Sequence, residues 1–266
     1  LMNFGVVKEI VEYARSLEKK HNKNFRFTIT TNGVLLNDDI IEYINREMSN
    51  IVLSIDGRPE VNDKFRKTIN GKGSYDVIID KYKKLVSQRT GDYYVRGTFT
   101  RKNLDFSEDV LHLWKSGFDQ ISVEPVVASP ELDYSLREED IPEICDEYER
   151  LAEIIIDMKS NGEKINFFHF NIDLDGGPCI IKRLKGCGCG NEYVAITPEG
   201  DIYPCHQFVG MEEWKMGSLY DGSFDNNKKQ LFAANHVLSK EKCSDCWAKF
   251  YCSGGCSANN VQYMGD

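Results

Sequence analysis

The stretch that decides the fold runs from residue 25 to residue 57 and reads FRFTITTNGVLLNDDIIEYINREMSNIVLSIDG. An apolar run ends at the polar turn TTNG, a helical pattern opens at Asp38, and a second apolar run ends at SIDG. A strand, a helix and a further strand in this order predict a β-α-β unit with two parallel strands in one sheet.

The same alternation continues on both sides of this unit. An amphipathic helix precedes it at residues 8–20, KEIVEYARSLEKK, and later strand patterns read YYVRGTFT, QISVEPVV and INFFHF. Residues 1–172 are therefore predicted to form an α/β domain with a parallel sheet. Such sheets bind ligands at the carboxyl ends of their strands. Those ends read TTNG, SIDG, TFTRKN and EPVV, which are polar enough to line a site.

Composition narrows the functional classes. The 266 residues carry a formal charge of −9, which argues against general binding to nucleic acid or to a membrane surface. No apolar run approaches the roughly 20 residues that a spanning helix needs. The first residues show no secretory signal, so a cytoplasmic protein is expected. The chain opens on Leu1 and ends at Asp266 as though cut, which predicts truncation at both ends.

The amino-acid composition of the sequence changes at about residue 173. Gly, Pro and Cys become dense, and eight of the nine cysteines lie beyond residue 178. Residues 192–205, EYVAITPEGDIYPC, predict a hairpin that ends on a cysteine. Residues 173–266 are thus predicted to form a small domain with few apolar residues, which would need cross-links of some kind to fold.

The cysteines of residues 243–256, CSDCWAKFYCSGGC, follow the spacing C-x2-C-x5-C-x3-C. A large chain without a secretion signal favours metal ligation over disulfides. Structural zinc sites usually join two separated C-x2-C pairs, whereas closely spaced cysteines of this kind hold iron–sulfur clusters. The spacing favours iron–sulfur, and a zinc-binding structural or adaptor module stays open as the alternative.

A wider pattern surrounds this run. Cys187 is followed by twelve residues and then by Gly200-x4-Cys205, ahead of the run just quoted. This resembles the SPASM domain of radical S-adenosylmethionine (SAM) enzymes, with six of its seven cysteines in order and the seventh beyond Asp266. The resemblance implies two auxiliary [4Fe–4S] clusters. One would use Cys187, Cys205 and Cys256, the other Cys243, Cys246 and Cys252, with Cys179 and Cys189 as possible further ligands.

Residues 1–172 resemble the same family, whose fold is a partial (β/α)6 TIM-like barrel. Here the barrel would be incomplete at its N-terminus, because neither the first strand nor the C-x3-C-x2-C loop of the SAM-cleaving cluster occurs in the sequence. The resemblance implies a SAM pocket at the strand ends. Its expected contacts are Thr31, Asn32, Ser54, Asp56, Arg66 and Val126.

Residues 186–210, GCGCGNEYVAITPEGDIYPCHQFVG, resemble the maturases of six-cysteine (SCIFF) peptides, which join a cysteine to a threonine through a thioether. The alternative is an anaerobic sulfatase maturase, which makes formylglycine and has an aspartate directly after the cysteine that matches Cys205. His206 stands there and is a candidate catalytic residue. The resemblance also implies a precursor peptide as substrate and a small electron-transfer protein, such as a flavodoxin or ferredoxin, as partner.

Overall fold

The computed structural model describes residues 1–172, 180 and 183–264. The chain divides into two compact units, Leu1–Asn171 and Ile172–Asp266. The candidate ligand Cys179 lies outside the described residues. The domain extents predicted from the sequence, 1–172 and 173–266, stay predictions.

The first unit alternates helices with parallel strands. The five strands follow the sheet order β1-β2-β3-β4-β5, and each pairs in parallel with its neighbour. The predicted parallel α/β class is confirmed. The elements are α1 (Phe4–His21), β1 (Thr28–Thr31), α2 (Asp38–Glu47), β2 (Asn50–Ser54), α3 (Pro59–Phe65), α4 (Tyr75–Ser87), β3 (Asp92–Phe99), α5 (Phe106–Lys115), β4 (Gln120–Pro125), α6 (Ile141–Ser160) and β5 (Asn166–Phe167).

Helix α2 shows how the sequence fixes an element boundary. The side chain of Asn37 accepts a hydrogen bond from the backbone N–H of Ile40 at 2.9 Å, which caps the helix. Asp38 and Asp39 complement the positive end of the helix dipole. Ile41 and Ile44 then bury one face against the sheet core. These local signals place the start of the helix where the sequence predicts it.

The two faces of the sheet differ in chemistry because successive side chains of a strand point to opposite sides. One face carries Ile51, Leu53, Val95, Ile121 and Val123, all fully buried in the core. The other face carries the residues between them. We call this second side the polar face, and its members at the centre of the sheet are Ser54, Arg96, Thr98, Ser122 and Glu124.

In this unit one helix was not predicted from the sequence, and one predicted strand was too long. Helix α3 was not expected, because Pro59–Phe65 has no apolar period. Its buried Asn62 instead accepts a hydrogen bond from the backbone of Asp56 and donates one to Ser74. The strand expected over INFFHF pairs only at Asn166–Phe167, and Phe168–Phe170 turn into a 3-10 helix.

The second unit contains a four-stranded antiparallel sheet in the order β6-β7-β8-β9. Its strands are short: β6 (Ala195–Ile196), β7 (Asp201–Tyr203), β8 (Gly217–Ser218) and β9 (Ser223–Phe224). The predicted hairpin is present, since β6 and β7 pair antiparallel with Ile196 opposite Ile202. Three helices follow: α7 (Asn226–Ala234), α8 (Lys249–Cys252) and α9 (Ser257–Asn259). In the described part of the chain, no helix is long and apolar enough to cross a membrane.

Candidate functional site

Asp56 and Arg66 form an ion pair just beyond the carboxyl end of β2. Arg66 donates from Nε to Asp56 Oδ2 at 2.7 Å and from Nη2 to Oδ1 at 2.8 Å. The backbone N–H of Thr98 donates to Asp56 Oδ1 at 3.0 Å. Because Asp56 is only 4% exposed, these contacts compensate the burial of its charge. Both carboxylate oxygens of Asp56 therefore accept hydrogen bonds from the protein, whereas Nη1 of Arg66 takes no part in this ion pair.

Gly97 makes the position of Asp56 possible. A Cβ at residue 97 would lie 2.5 Å from the carbonyl oxygen of Ile55 and 2.7 Å from Cα of Asp56. Both atoms belong to the backbone, which cannot move aside as a side chain tip can. Glycine in the third strand is thus what lets the chain after β2 cross so closely over β3.

Tyr82 of α4 joins the ends of β1 and β2. Its hydroxyl lies 3.1 Å from the carbonyl oxygens of both Thr31 and Ser54. Burial raises the pKa of Tyr82, so the phenol stays a hydrogen-bond donor. Two of the expected SAM contacts, Thr31 and Ser54, are thereby held side by side at the edge where the parallel strands end.

The TTNG turn uses its own side chains. The backbone N–H of Gly33 donates to Thr31 Oγ1 at 3.1 Å, and that of Val34 donates to Asn32 Oδ1 at 3.3 Å. On β4, the N–H of Val126 donates to the carbonyl of Phe99 at 2.9 Å and extends the ladder between the strands. These residues shape the rim of the sheet, and their contacts with SAM stay predictions.

The polar face carries a hydrogen-bonded series that sequence reasoning missed. Glu124 accepts from Ser122 Oγ at 2.5 Å, and its Oε2 lies 2.8 Å from His169 Nε2. His169 Nδ1 lies 2.7 Å from the hydroxyl of Tyr148 on α6. The side-chain period of the strands could have placed Arg96 and Glu124 on the face of Ser54. The contacts of His169 and Tyr148 depend on tertiary packing, which the sequence pattern does not show.

Cysteines converge in the second unit. Cys189 and Cys205 are 5% and 7% exposed and belong to its small core, with Phe208, Phe232 and Ala258. A hydrogen bond from the Cys189 thiol lowers the pKa of Cys205 to about 6 and raises that of Cys189. Cys187 and Cys256 are exposed but close enough to act on Cys189 electrostatically. The buried Cys189–Cys205 contact thus lies within electrostatic range of Cys187 and Cys256.

The C-terminal cysteines lie in a succession of tight turns. The N–H of Cys246 donates to the carbonyl of Cys243, and the N–H of Cys252 donates to Ala248. Ser253 and Gly254 adopt positive φ after α8, at 60° and 82°. Backbone turned this tightly brings cysteines at x2 and x5 spacing into one loop, which is what ligation of a common group requires.

Residues 187–247 match the family model of the SPASM domain, an iron-sulfur cluster-binding domain. The cysteine-type anaerobic sulfatase-maturating enzyme of Clostridium perfringens is 23% identical over 266 residues, which cover 93% of this chain and 70% of that enzyme. The mycofactocin maturase MftC of Mycolicibacterium smegmatis is 26% identical over 263 residues, or 94% of this chain and 62% of that protein.

Solved structures give the same fold. Native anSMEcpe with bound AdoMet superposes with a TM-score of 0.73 at 20% identity, over 94% of this chain and 71% of that chain. Streptococcus suis SuiB bound to precursor peptide SuiA gives 0.57 at 20% identity, over 88% and 55%. The chain is similar to radical SAM/SPASM maturases over more than nine-tenths of its length. The predicted family is confirmed, and its members similar to this chain are enzymes that modify peptides or proteins.

The SPASM residues fit an iron–sulfur cluster, because residues 187–247 match the family model of an iron-sulfur cluster-binding domain. Four thiolates around one zinc ion, each at about 2.3 Å, lie only about 3.8 Å from one another. Within residues 1–172, 180 and 183–264, no group of three or more His, Cys, Asp or Glu side chains is arranged to hold one ion. A [4Fe–4S] cluster is held by cysteine thiolates, the side chains that these segments supply. The individual ligand assignments stay predictions.

His206 follows the candidate ligand Cys205 in this SPASM domain. It begins the 3-10 helix His206–Phe208, and its charge contributes to lowering the pKa of Cys205, after the hydrogen bond from Cys189. Its side chain is exposed, so it can influence the neighbouring sulfur and still meet a substrate. His206 stays a candidate catalytic residue.

Proposed function

We propose that this radical SAM/SPASM protein binds SAM at the carboxyl ends of β1–β4 and installs a Cys-to-Thr thioether in a precursor peptide. The observation that carries the proposal is the buried contact between Cys189 and Cys205, which lies within electrostatic range of Cys187 and Cys256. SAM-dependent cluster chemistry supplies a hydrogen-abstracting radical, and an auxiliary cluster supplies a one-electron acceptor. Thioether formation requires both, since each partner loses one hydrogen.

The strand ends supply groups that suit SAM. Arg66 is fixed in place by Asp56 and has Nη1 left to meet the carboxylate of the methionine part. Ser54 lies on the polar face beside this pair, where its hydroxyl can reach a ribose. Val126 lies where β4 ends, and its backbone can line the adenine. The structural neighbour anSMEcpe is described with bound AdoMet, which supports the same use of this fold.

The substrate class follows from the relatives and from His206. SuiB is described with a precursor peptide and anSMEcpe with the Cp18Cys peptide, so peptides enter this fold. An electron-transfer protein is proposed as the source of the electron that SAM cleavage consumes. The segment GCGCGNEYVAITPEGDIYPCHQFVG favours the six-cysteine peptides, because His206 replaces the aspartate of the sulfatase maturases.

Formylglycine formation is the second candidate. It is favoured by the sulfatase-maturating enzyme of Clostridium perfringens, which matches 93% of this chain. MftC matches a similar share at slightly higher identity, so overall similarity does not separate the chemistries. Mass spectrometry of the product separates them, because a thioether removes two hydrogens and blocks a cysteine from alkylation, whereas formylglycine creates an aldehyde.

The first experiment measures iron, labile sulfide and zinc per chain after anaerobic reconstitution. Iron with matching sulfide is expected, and the Cys145→Ala variant serves as a matched control because Cys145 lies on α6, outside the SPASM domain. Zinc without sulfide would overturn the proposal and leave the structural module. The product assay needs a SAM-cleaving cluster, whose loop this sequence lacks, so it uses a polypeptide in which this chain follows a C-x3-C-x2-C segment.

A further inference from the structure

Arg96 lies at the centre of the polar face. In the register of the sheet it is paired with Ser54, the last residue of β2, and with Ser122 of β4. Its side chain is 57% exposed, more than its sheet neighbours on this face. Ser54 is an expected SAM contact, so Arg96 borders the proposed reaction site directly.

Glu124 forms a long ion pair with Arg96 but accepts no hydrogen bond from it. Arg96 Nε lies 3.9 Å from Glu124 Oε1, which gives attraction but no hydrogen bond. The oxygens of Glu124 are already engaged by Ser122 and His169. Within the described residues, the guanidinium of Arg96 donates no hydrogen bond, although a planar fork with five N–H donors is suited to a carboxylate.

The charge of Glu124 is secure at neutral pH. Burial alone would raise its pKa, but hydrogen bonds from His169 and Ser122, together with the charges of His169 and Arg96, lower it to about 2. Tyr148 supports His169 from the far side, at 2.7 Å. Arg96 therefore lies beside a fixed anion, and its N–H donors make no hydrogen bond within the described residues.

We propose that Arg96 is a specificity residue that binds an acidic side chain of the peptide substrate. The inference rests on the proposed function for the nature of the ligand. The carboxylate of SAM is expected at Arg66, which Asp56 presents at the neighbouring strand end. That leaves the fork of Arg96 for a second carboxylate, and a peptide that lies over the polar face brings one within reach.

Arg26 offers a matched control on the same sheet. It precedes β1 at the opposite, amino-terminal edge, is 72% exposed, and pairs with Asp92 at 3.6 Å. Like Arg96, it has an ion pair longer than a hydrogen bond. A difference between the two arginines would therefore report the environment of the polar face and not the mere exposure of a guanidinium.

The test observes the side-chain Nε–H resonances of Arg96 and Arg26 by NMR in the reconstituted full chain. R96K and R26K assign the two signals without removing either charge. The probes are N-acetyl-glutamate N-methylamide and the matching glutamine compound, which differ only in the carboxylate. We expect the glutamate probe to shift the Arg96 Nε–H resonance saturably. The Kd for this shift should be about tenfold lower than at Arg26. The glutamine probe should cause no comparable shift.

Three results would overturn the proposal. Equal responses at Arg96 and Arg26 would show general ion pairing, and equal responses to both probes would show that the carboxylate is not read. A shift at Arg96 that SAM produces and decarboxylated SAM does not would assign the cofactor to this arginine. The metal analysis is a separate measurement, so failure here leaves the iron–sulfur part of the proposed function intact.

Discussion

The two units of this chain differ in what stabilises the fold of each one. The first buries 26 apolar side chains in one core among its described residues, from Val11 to Phe167. The core of the second contains six buried residues in its described part, and two of them are Cys189 and Cys205. Burial of apolar area at roughly 25 cal/mol per Å² can stabilise the first unit alone. We expect the second, like other small domains, to depend on what its cysteines bind.

The largest expected effect is the loss of structure in the second unit when its metal is removed. Chelation of the reconstituted protein should abolish hydrogen-exchange protection around Phe208 and Phe232, because a cluster that links distant segments contributes folding free energy. Protection at Leu53 and Val95 should persist. Exchange followed by mass spectrometry measures both regions in one sample. Equal loss in the two units would show that they do not differ in this way.

A cavity in the first core should have the next largest effect. Phe106 and Phe99 stack at 4.4 Å between ring centroids, and both are buried. Phe106→Ala should lower the free energy of unfolding by about 3 to 5 kcal/mol. Denaturation monitored by circular dichroism measures it. Ile69→Ala, at a fully exposed site, is the control and should stay within about 0.5 kcal/mol of wild type.

Gly97→Ala tests the close crossing of the strand ends. The added Cβ meets backbone at 2.5 Å, so we expect a cost of about 1 to 3 kcal/mol and displacement of Asp56. Gly5→Ala is the counterpart on α1, where a Cβ would meet nothing within 4 Å. It should be neutral or slightly stabilising, since alanine favours helices. If both variants unfold at the same denaturant concentration, the crossing is not tight.

The smallest expected effect is a pH dependence that belongs to Glu124. Its pKa falls from the model-compound 4.5 to about 2 on folding, so its stabilisation is present above about pH 4.5 and is lost as the pH falls towards 2. Solvent screening limits this to about 1 to 2 kcal/mol. Glu124→Gln should flatten the stability profile between pH 5 and 2, measured by denaturant titration. An unchanged slope would contradict the interactions of His169 and Ser122 with this carboxylate.

The sequence predicted the regular parts of the fold because their signals are local. Asn37 caps α2, and the period of apolar residues places the strands. Helix α3 was missed because Asn62, with its tertiary hydrogen bonds, stabilises it where an apolar stripe would normally do so. The strand at INFFHF was too long because His169 turns towards Glu124 and Tyr148.

In the candidate site too, the sequence predicted the local features and missed those that depend on tertiary packing. Cysteine spacing identified the SPASM domain, because the order and spacing of the candidate ligands can be read directly from the sequence. The contact between Cys189 and Cys205 was not anticipated, because it depends on how the loop before β6 folds over the end of β7. The hydrogen-bonded series of Glu124, His169 and Tyr148 likewise needs helix α6 to bring Tyr148 to His169.

The close approach of the backbone to Gly97 also limits which mutations this site can accept. Every single-base change in a glycine codon that alters the residue introduces either a side chain with a Cβ or a stop. At residue 97 such a Cβ would lie 2.5 Å from the carbonyl oxygen of Ile55, in the backbone that leads to Asp56. Every replacement at residue 97 should therefore cost stability, whereas the exposed Arg96 one position earlier can change without this collision.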